Sequence, residues 1–338
     1  MIVSLLNCKV IIVGATGRVG REMLSILAEN RIPAENISLA ASSRSAGSVL
    51  KYMGSNLEVA DLSAMNFADY EIGLFSAGRE ISCKYAPIAN EAGCVVIDNT
   101  SYFRMFDDVP LIVPEVNLAD LEKYNNKKLI ANPNCSTIQM VMALKPLHDL
   151  FGLKEIVAST YQATSGAGQK GVDELMSQTA IVMSAKNVTP SHFKKQIAFN
   201  VIPQIDSFAD CSYTKEELKM MNETKKILEI QDVKITATCV RVPVVVGHCV
   251  SVFVRFQNRV DLESAKTSLD EFNGVKVIDD PQNFEFATPI DAVSKDDVFV
   301  SRIRKHPADD YALSFWCVGD NLRKGAALNA IQIASVIS

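Results

Sequence analysis

Cys135 is the residue of this sequence best placed to act as a nucleophile. It stands in Asn132-Pro133-Asn134-Cys135-Ser136-Thr137, ahead of an apolar stretch with helical spacing (Ile138, Met142, Leu144). Pro133 favours an extended residue before it. Cys135 is then expected near a helix N-terminus, where the dipole lowers a thiol pKa and backbone N–H groups can stabilise an oxyanion. The competing reading is one more buried thiol among eight cysteines; the polar flanks Asn134 and Ser136 weigh against an apolar surrounding. A partner base is needed. Of the four histidines, His148, His192 and His306 fall in segments that read as helix end or loop, whereas His248 follows Gly247 and opens a strand-like run seven residues after Arg241. Residues 241–248 read as a connection between adjacent strands, which would bring a cation and an imidazole to one end of a sheet. A purely structural histidine is the alternative.

A second constellation is built for a nucleotide. Gly14-Ala15-Thr16-Gly17-Arg18-Val19-Gly20 follows the β-branched run 9–13 and opens a helical pattern. Glycines at this turn let the backbone approach a pyrophosphate, and the helix N-terminus offers free N–H groups and partial positive charge. The spacing G-x-x-G-x-x-G is a variant of the usual fingerprint; a plain turn and cap is the alternative. An NAD site usually places an acidic residue about 20 residues beyond the glycines, on the ribose 2′-hydroxyl. Here the second strand ends in Ala40-Ala41-Ser42-Ser43-Arg44-Ser45, with no carboxylate in that stretch. Hydroxyls and a guanidinium suit a 2′-phosphate instead, so NADP is the expected cofactor.

Elements able to position these groups follow from the periodicity. In the first 135 residues, short apolar runs at 9–13, 37–41, 71–75, 94–97 and 129–131 alternate with helical segments, the signature of a parallel sheet covered on both faces. The apolar N-terminus, residues 1–8, reads as a further strand. Longer strand-like stretches at 154–164, 234–242, 249–257 and 311–318 suit an antiparallel sheet, with helical patterns at 168–184, 215–228 and 262–272 between them. Residues 206–213 and 279–289 read as surface loops, and 321–337 as a helix returning to the first domain. Glu223 and Lys226, three apart, share a helix face.

Composition bounds the function. A chain of 338 residues suggests two domains. Hydrophobic content of 48% and charged content of 22% are ordinary for a globular protein. A net charge of −5 argues against a general nucleic-acid binder. No basic n-region precedes the apolar start, and no apolar run approaches a membrane span. Scattered cysteines without a C-x-x-C pair read as free thiols in a reducing cytoplasm, and no metal site is expected.

These motifs, taken in order, resemble the aspartate-β-semialdehyde dehydrogenase family. The similarity includes G-A-T-G-x-V-G, A-S-S-R-S-A-G at 41–47, S-A-G at 76–78, D-N-T-S at 98–101 and N-P-N-C-S-T at 132–137. It continues through Y-Q-A-T-S-G-A-G at 161–168, N-E-T-K-K-I at 222–227, R-V-P-V at 241–244 with Gly247-His248, and D-N-L-R-K-G-A-A-L-N-A at 320–330. The resemblance implies an α/β fold: an N-terminal Rossmann-like parallel sheet, plus an α+β catalytic and dimerisation domain of the glyceraldehyde-3-phosphate dehydrogenase-like type. It places the NADP-binding domain at 1–134, completed by a C-terminal helix in 320–338, and the catalytic domain at 135–319.

The implied reaction interconverts L-aspartate 4-semialdehyde and L-aspartyl 4-phosphate with NADP and inorganic phosphate, feeding lysine or diaminopimelate, methionine and threonine. By position, Cys135 is the nucleophile, His248 the acid/base and Gln162 the group that orients the acyl chain. Glu223 faces the substrate amine and Arg241 its carboxylate. Arg104, Asn134 and Lys226 hold phosphate. Gly14, Thr16, Gly17, Arg18, Val19, Ser43, Arg44, Ser45, Ser76, Ser165, Gly166 and Asn321 touch the cofactor. The family implies a homodimer or homotetramer. N-acetyl-γ-glutamyl-phosphate reductase, glyceraldehyde-3-phosphate dehydrogenase and a silent NADP-binding protein are the rival readings. An acetylated amine would leave Glu223 without a partner, the pattern around Cys135 differs from the second, and the joint presence of Cys135, Gln162, Arg241 and His248 weighs against the third.

Overall fold

The computed structural model describes residues 3–338, with the backbone alone for 3 and 124–126. The chain forms two compact units, Met1–Asn134 with Ala326–Ser338, and Cys135–Gly325. In the first unit the elements run β1 (Val10–Val13), α1 (Arg18–Glu29), β2 (Ile37–Ala41), β3 (Val49–Tyr52), β4 (Ser55–Asp61), β5 (Ile72–Phe75), α2 (Arg79–Glu91), β6 (Val95–Asp98), the short α3 (Pro114–Asn117) and β7 (Leu129–Ala131). Seven strands lie in the order β3-β4-β2-β1-β5-β6-β7. All pair in parallel except the β3–β4 hairpin. Every residue of β1 and β5 is buried, as expected where helices cover both faces. Helix α1 turns Met23, Leu24, Ile26 and Leu27 onto the sheet.

Two features of this unit differ from the sequence reading. The N-terminal stretch is a 3-10 helix, Val3–Asn7, not a strand. Both edges of β1 are already taken by β2 and β5. The stretch instead buries Leu5 in the core, with Ser4 Oγ donating to the Ser335 carbonyl at 2.6 Å. The β3–β4 hairpin was not foreseen either. Its two-residue turn, Met53-Gly54, has φ of 46° and 84°. That is the conformation Asn-Gly usually signals, and methionine hides it.

The C-terminal helix, Leu328–Ile337, returns to this unit through a buried amide cluster. Asn329 Nδ2 donates to Asn132 Oδ1 at 2.7 Å and to the Ile112 carbonyl at 2.9 Å. Asn132 Nδ2 donates to Asn99 Oδ1 at 2.6 Å. The return begins at Ala326, later than the 320 expected. Residues 320–325 stay with the second unit because Asp320 accepts the N–H groups of Leu322, Arg323 and Ser294.

The second unit runs α4 (Cys135–Phe151), β8 (Leu153–Gln162), α5 (Gly168–Met183), α6 (Lys215–Leu228), β9 (Lys234–Arg241), β10 (His248–Phe256), α7 (Leu262–Asp270), β11 (Val275–Val277), β12 (Asp279–Asp280), β13 (Glu285–Phe286), α8 (Pro289–Ala292), β14 (Val298–His306) and β15 (Asp309–Gly319). The main sheet has the order β11-β14-β15-β10-β8-β9. Helices α4, α6 and α7 pack on one face. Helix α4 is buried almost all round, the mark of a core helix.

The sheet is mixed where an antiparallel one was expected, since β8–β9 and β11–β14 are parallel. β14 went unread, and 279–289 contains the small β12–β13 hairpin rather than a plain loop. The strands that end at Arg241 and begin at His248 are not neighbours either: β8 lies between them. Residues 242–245 therefore cross the end of β8, held by Val242 N–H to the Gln162 carbonyl and Thr164 N–H to the Val244 carbonyl. Among the described residues no helix is long and apolar enough to cross a membrane.

Replacing Asn329 by leucine keeps the volume but strips Asn132 Oδ1 and the Ile112 carbonyl of a donor. Leaving buried acceptors unsatisfied should cost about 3 kcal/mol. The urea midpoint of the first unfolding transition should fall accordingly; an unchanged midpoint would show that the amide cluster does not anchor the helix.

Candidate active site

In the first unit, the turn after β1 is sterically committed to glycine. Gly14 has φ of 91°, and a Cβ there would lie 2.6 Å from the Ser76 carbonyl oxygen. Gly14 and Ala15 both donate to the Ala40 carbonyl, and Gly17 caps α1. Beside this turn a cleft of about 620 Å³ is lined by Gly14, Thr16, Gly17, Ser43, Arg44 and Ser76 among others. A bare backbone turn at a helix N-terminus, next to two serines and a guanidinium, fits a dinucleotide. Arg18 and Val19 lie in the first turn of α1, and Ser45 closes the loop by donating its N–H to the Ser42 carbonyl; these three do not line the cleft.

One expectation needs correction here. The loop after β2 carries no carboxylate, yet Asp61 lines the same cleft. β4 pairs with β2 so that Asp61 stands in register with Ala41. Ser63 donates to Asp61 through its N–H at 2.9 Å and its hydroxyl at 2.8 Å. Those bonds hold the exposed carboxyl below its usual range, so it is ionised at neutral pH. A linear reading assigns the acidic position to β2 and misses a neighbour 20 residues on. Also in this unit, Arg104 is buried, with Nε donating to the Asn132 carbonyl and Nη2 to the Asn99 carbonyl. Asn134 is buried at the end of the unit.

The second unit gathers Cys135, Gln162, Arg241 and His248. Cys135 is the first residue of α4 and half-buried. Gly325 packs so close that a Cβ on it would sit 3.0 Å from Cys135 Cβ. One turn along α4, Gln139 Nε2 donates to the His248 carbonyl at 3.2 Å, tying this helix to the start of β10. Gln162 ends β8 and stands in register with Arg241. Arg241 Nη1 donates to the Ala163 carbonyl at 2.6 Å. The 3-10 turn after β8 then brings Gly166 against both side chains: a Cβ there would lie 2.9 Å from His248 Nε2 and 3.0 Å from Arg241 Nη1. Asn321 Oδ1 accepts from the Gly247 N–H at 2.9 Å, and its Nδ2 donates to Ser165 Oγ at the same distance. That bracket fixes Ser165 and Asn321 beside His248.

Gln162 is held at both ends of its amide. Its Nε2 donates to Glu216 Oε1 and its Oε1 accepts from Thr160 Oγ1, each at 3.0 Å. Glu216 is buried and also receives Lys219 Nζ. Neither Glu216 nor Thr160 was singled out in the sequence. Both were findable by face: Thr160 is two residues back along β8, and Glu216 is two helical turns before Glu223 on α6. Glu223 is buried on that helix, and Lys226 is half-buried one turn further on.

Burial and the Arg241 cation push His248 down to about 3, against the opposing pull of the Glu216 carboxylate and the Gly247 backbone. The ring is neutral. Burial also lowers Arg241, countered by Glu216 and Cys135, but a guanidinium stays charged. Four of the other thiols, Cys94, Cys239, Cys249 and Cys317, are buried core residues that burial pushes up. Cys135 alone combines a helix N-terminus with a nearby cation.

Comparison with known proteins agrees with this arrangement. Residues 9–124 match the NAD-binding domain of semialdehyde dehydrogenases, and 144–324 match their dimerisation domain. The chain is 49% identical to an aspartate-semialdehyde dehydrogenase of Aquifex aeolicus, over 97% of each chain. It is 47% identical to that of Bacillus subtilis, over 96% of each. Among solved structures, aspartate semialdehyde dehydrogenase II from Vibrio cholerae, complexed with ASA, superposes with a TM-score of 0.95 at 45% identity and 98% coverage of both chains. The Candida albicans aspartate semialdehyde dehydrogenase with NADP gives 0.75 at 26% identity, again over 98% of both. The chain belongs to the aspartate-semialdehyde dehydrogenase family.

Proposed function

We propose that this protein interconverts L-aspartate 4-semialdehyde and L-aspartyl 4-phosphate, carrying the acyl group as a thioester on Cys135. The convergence of Cys135, Gln162, Arg241 and His248 carries this reading. Cys135 at the head of α4 attacks the aldehyde, with the helix dipole and Arg241 both favouring its thiolate. Arg241 also offers its fork to the substrate carboxylate. Glu223 supplies the anion for the substrate amine, and Lys226 a cation on the same helix face for phosphate; Arg104 and Asn134 take the phosphate role assigned by the family resemblance. The nicotinamide, when bound, accepts hydride. Splitting oxidation from phosphate attack conserves the energy that direct hydrolysis would lose. Cys135→Ala should lower phosphate-dependent turnover by about 10³-fold or more. The acyl adduct should disappear from the intact-mass spectrum, and appreciable turnover without Cys135 would sink the scheme. Activity on N-acetylglutamate semialdehyde above that on aspartate semialdehyde would instead favour the acetylated substrate.

We infer NADP as the cofactor, from Ser43 and Arg44 in the cleft. Asp61 opposes a 2′-phosphate, but its carboxylate is turned to Ser63. Arg44→Ala should raise KM for NADP by about 10–100-fold, the worth of a charge-assisted pair, and leave KM for NAD unchanged. Equal use of both cofactors by the unaltered protein would overturn the assignment.

We further infer that two copies pair through the open face of the second-unit sheet. Opposite the helices, β8, β10 and β15 present Val157, Tyr161, Phe253 and Trp316, with the Tyr161 and Trp316 rings 5.2 Å apart. Val157 is 38% exposed, so an aspartate there is tolerated by a lone subunit but buried unpaired in a dimer. Val157→Asp should move the sedimentation profile from dimer to monomer. A monomeric parent protein would refute the pairing.

A further inference from the structure

One edge of the second-unit sheet ends at Arg241. β9 pairs there only with β8, so the backbone groups on its other side need partners from outside the sheet. Glu217 Oε1 accepts the Cys239 N–H at 3.0 Å. Ile202 serves Arg241 twice: the Arg241 N–H donates to the Ile202 carbonyl at 2.8 Å, and the Ile202 N–H donates back at 2.9 Å. Ile202 follows a stretch, 184–201, without helix or strand. Its place is set from α5, where Glu174 and Gln178 lie one turn apart and buried. Glu174 Oε1 accepts the Ser191 N–H at 2.9 Å. Its Oε2 accepts the His192 N–H, the Phe193 N–H at 3.2 Å and the Ser191 hydroxyl at 3.1 Å. Gln178 Oε1 accepts the Ile197 and Ala198 N–H groups at 2.8 and 3.2 Å, and its Nε2 donates to Glu174 Oε1 at 2.6 Å. Burial opposes charge on Glu174, but the donors from 191–193 outweigh it and hold the carboxyl below its usual range. Between Ala198 and Ile202 the chain makes one turn, closed by the Asn200 N–H on the Ile197 carbonyl with Phe199 at φ of 55°. Phe193, Ile197, Ala198 and Ile202 then pack with Leu175 of α5 in one apolar cluster.

We propose that Glu174 and Gln178 are positioning residues for Arg241, and through it set the affinity for the substrate carboxylate. This rests on the reading of Arg241 as the grip on that carboxylate. Arg241 is the last residue of β9, and strand ends are where a sheet opens first. The chain leaves the sheet directly after it to cross the end of β8. On the inner side the Gln162 carbonyl holds the Val242 N–H; on the outer side Ile202 holds Arg241. A shift of Ile202 therefore moves the root of a guanidinium whose Nη1 is seated on the Ala163 carbonyl. Misplacing a binding group by about 1 Å can cost about 10²-fold. The carboxylate takes no part in the bond changes, so its grip is equal in ground and transition states. Its loss falls on KM rather than kcat. A segment clasped only for its own stability would move neither.

Gln178→Met keeps the volume but removes the acceptor for Ile197 and Ala198. Glu174→Gln turns one acceptor oxygen into a donor among the donors of 191–193. Each should raise KM for aspartate semialdehyde about 10–100-fold, with kcat changed less than about threefold and KM for phosphate unmoved. Leu269→Ala, in the buried core under α7, is the control for lost stability: it should lower the melting temperature and leave KM alone. An unchanged KM in the clasp variants, or an equal rise in Leu269→Ala, overturns the proposal. Hydrogen exchange reads the same link in the unaltered protein. As urea rises below the unfolding transition, the Arg241 amide should open together with those of His192 and Ile197. Arg241 staying protected after those two have opened also overturns it. Arg241→Lys separates the proposal from the reading beneath it, because an ammonium lacks the guanidinium fork. A KM that Arg241→Lys does not move sinks the carboxylate grip itself. A rise there, with none in Gln178→Met or Glu174→Gln, sinks the positioning role alone.

Discussion

The second unit depends on one pairing, the parallel register of β8 with β9 that sets Gln162 opposite Arg241. β8 pairs antiparallel with β10 on its other side. To pass from the end of β9 to the start of β10, the chain must cross the end of β8. Residues 242–245 make that crossing, and they hydrogen-bond to 162–165 as they do. The crossing delivers a guanidinium on one flank of Gln162 and an imidazole on the other. An antiparallel hairpin between neighbouring strands would have placed Arg241 and His248 side by side, with no room for Gln162 between them. Helix α4 packs beneath this same sheet, so its first residue, Cys135, is aimed at the sheet end where the three side chains meet.

Once the backbone fixes the positions, a satisfied polar chain fixes the rotamers. Asp206 and Lys219 lead to Glu216, Glu216 to Gln162, and Gln162 to Thr160. Each donor finds an acceptor, which is the condition under which buried polar networks rigidify rather than destabilise a core. Gln162 therefore presents a fixed amide. The Asn321 bracket does the same for the loop on the far side of His248. An acidic protein can in this way hold a local cation, because Arg241 is compensated by a buried carboxylate that hydrogen bonds keep at a distance.

The sequence was most legible where physics is local. Short apolar runs marked β1, β2, β5 and β6 within a residue or so, because strands buried on both faces need largely apolar sequence. The glycine turn was legible because close approach admits only hydrogen at Cα. Helix α6 was read at its observed bounds, 215–228, and the structure adds the capping box of Thr214 and Glu217 at its start. Non-local placements were not legible. Asp61 enters the nucleotide cleft only through its register with Ala41. Gln162 falls between Arg241 and His248 only through strand order. The Met53-Gly54 turn departs from the residues that usually encode it. In each case the deciding fact is which strand lies beside which, and no window of residues carries that.

Arg241 illustrates how one cation can serve two ends without conflict. Free of substrate, it raises the cost of charging His248 and favours a thiolate at Cys135. A substrate carboxylate gripped by the guanidinium would cancel much of its field, and the electrostatic restraint on His248 would weaken at the moment of reaction. The Ala163 N–H does not weaken with it. That backbone donor is fixed by the geometry of β8 and directs Nδ1 whatever the charge nearby. Field and hydrogen bond thus divide the labour: burial and Arg241 keep the resting ring neutral, and Ala163 directs its remaining proton to Nε2.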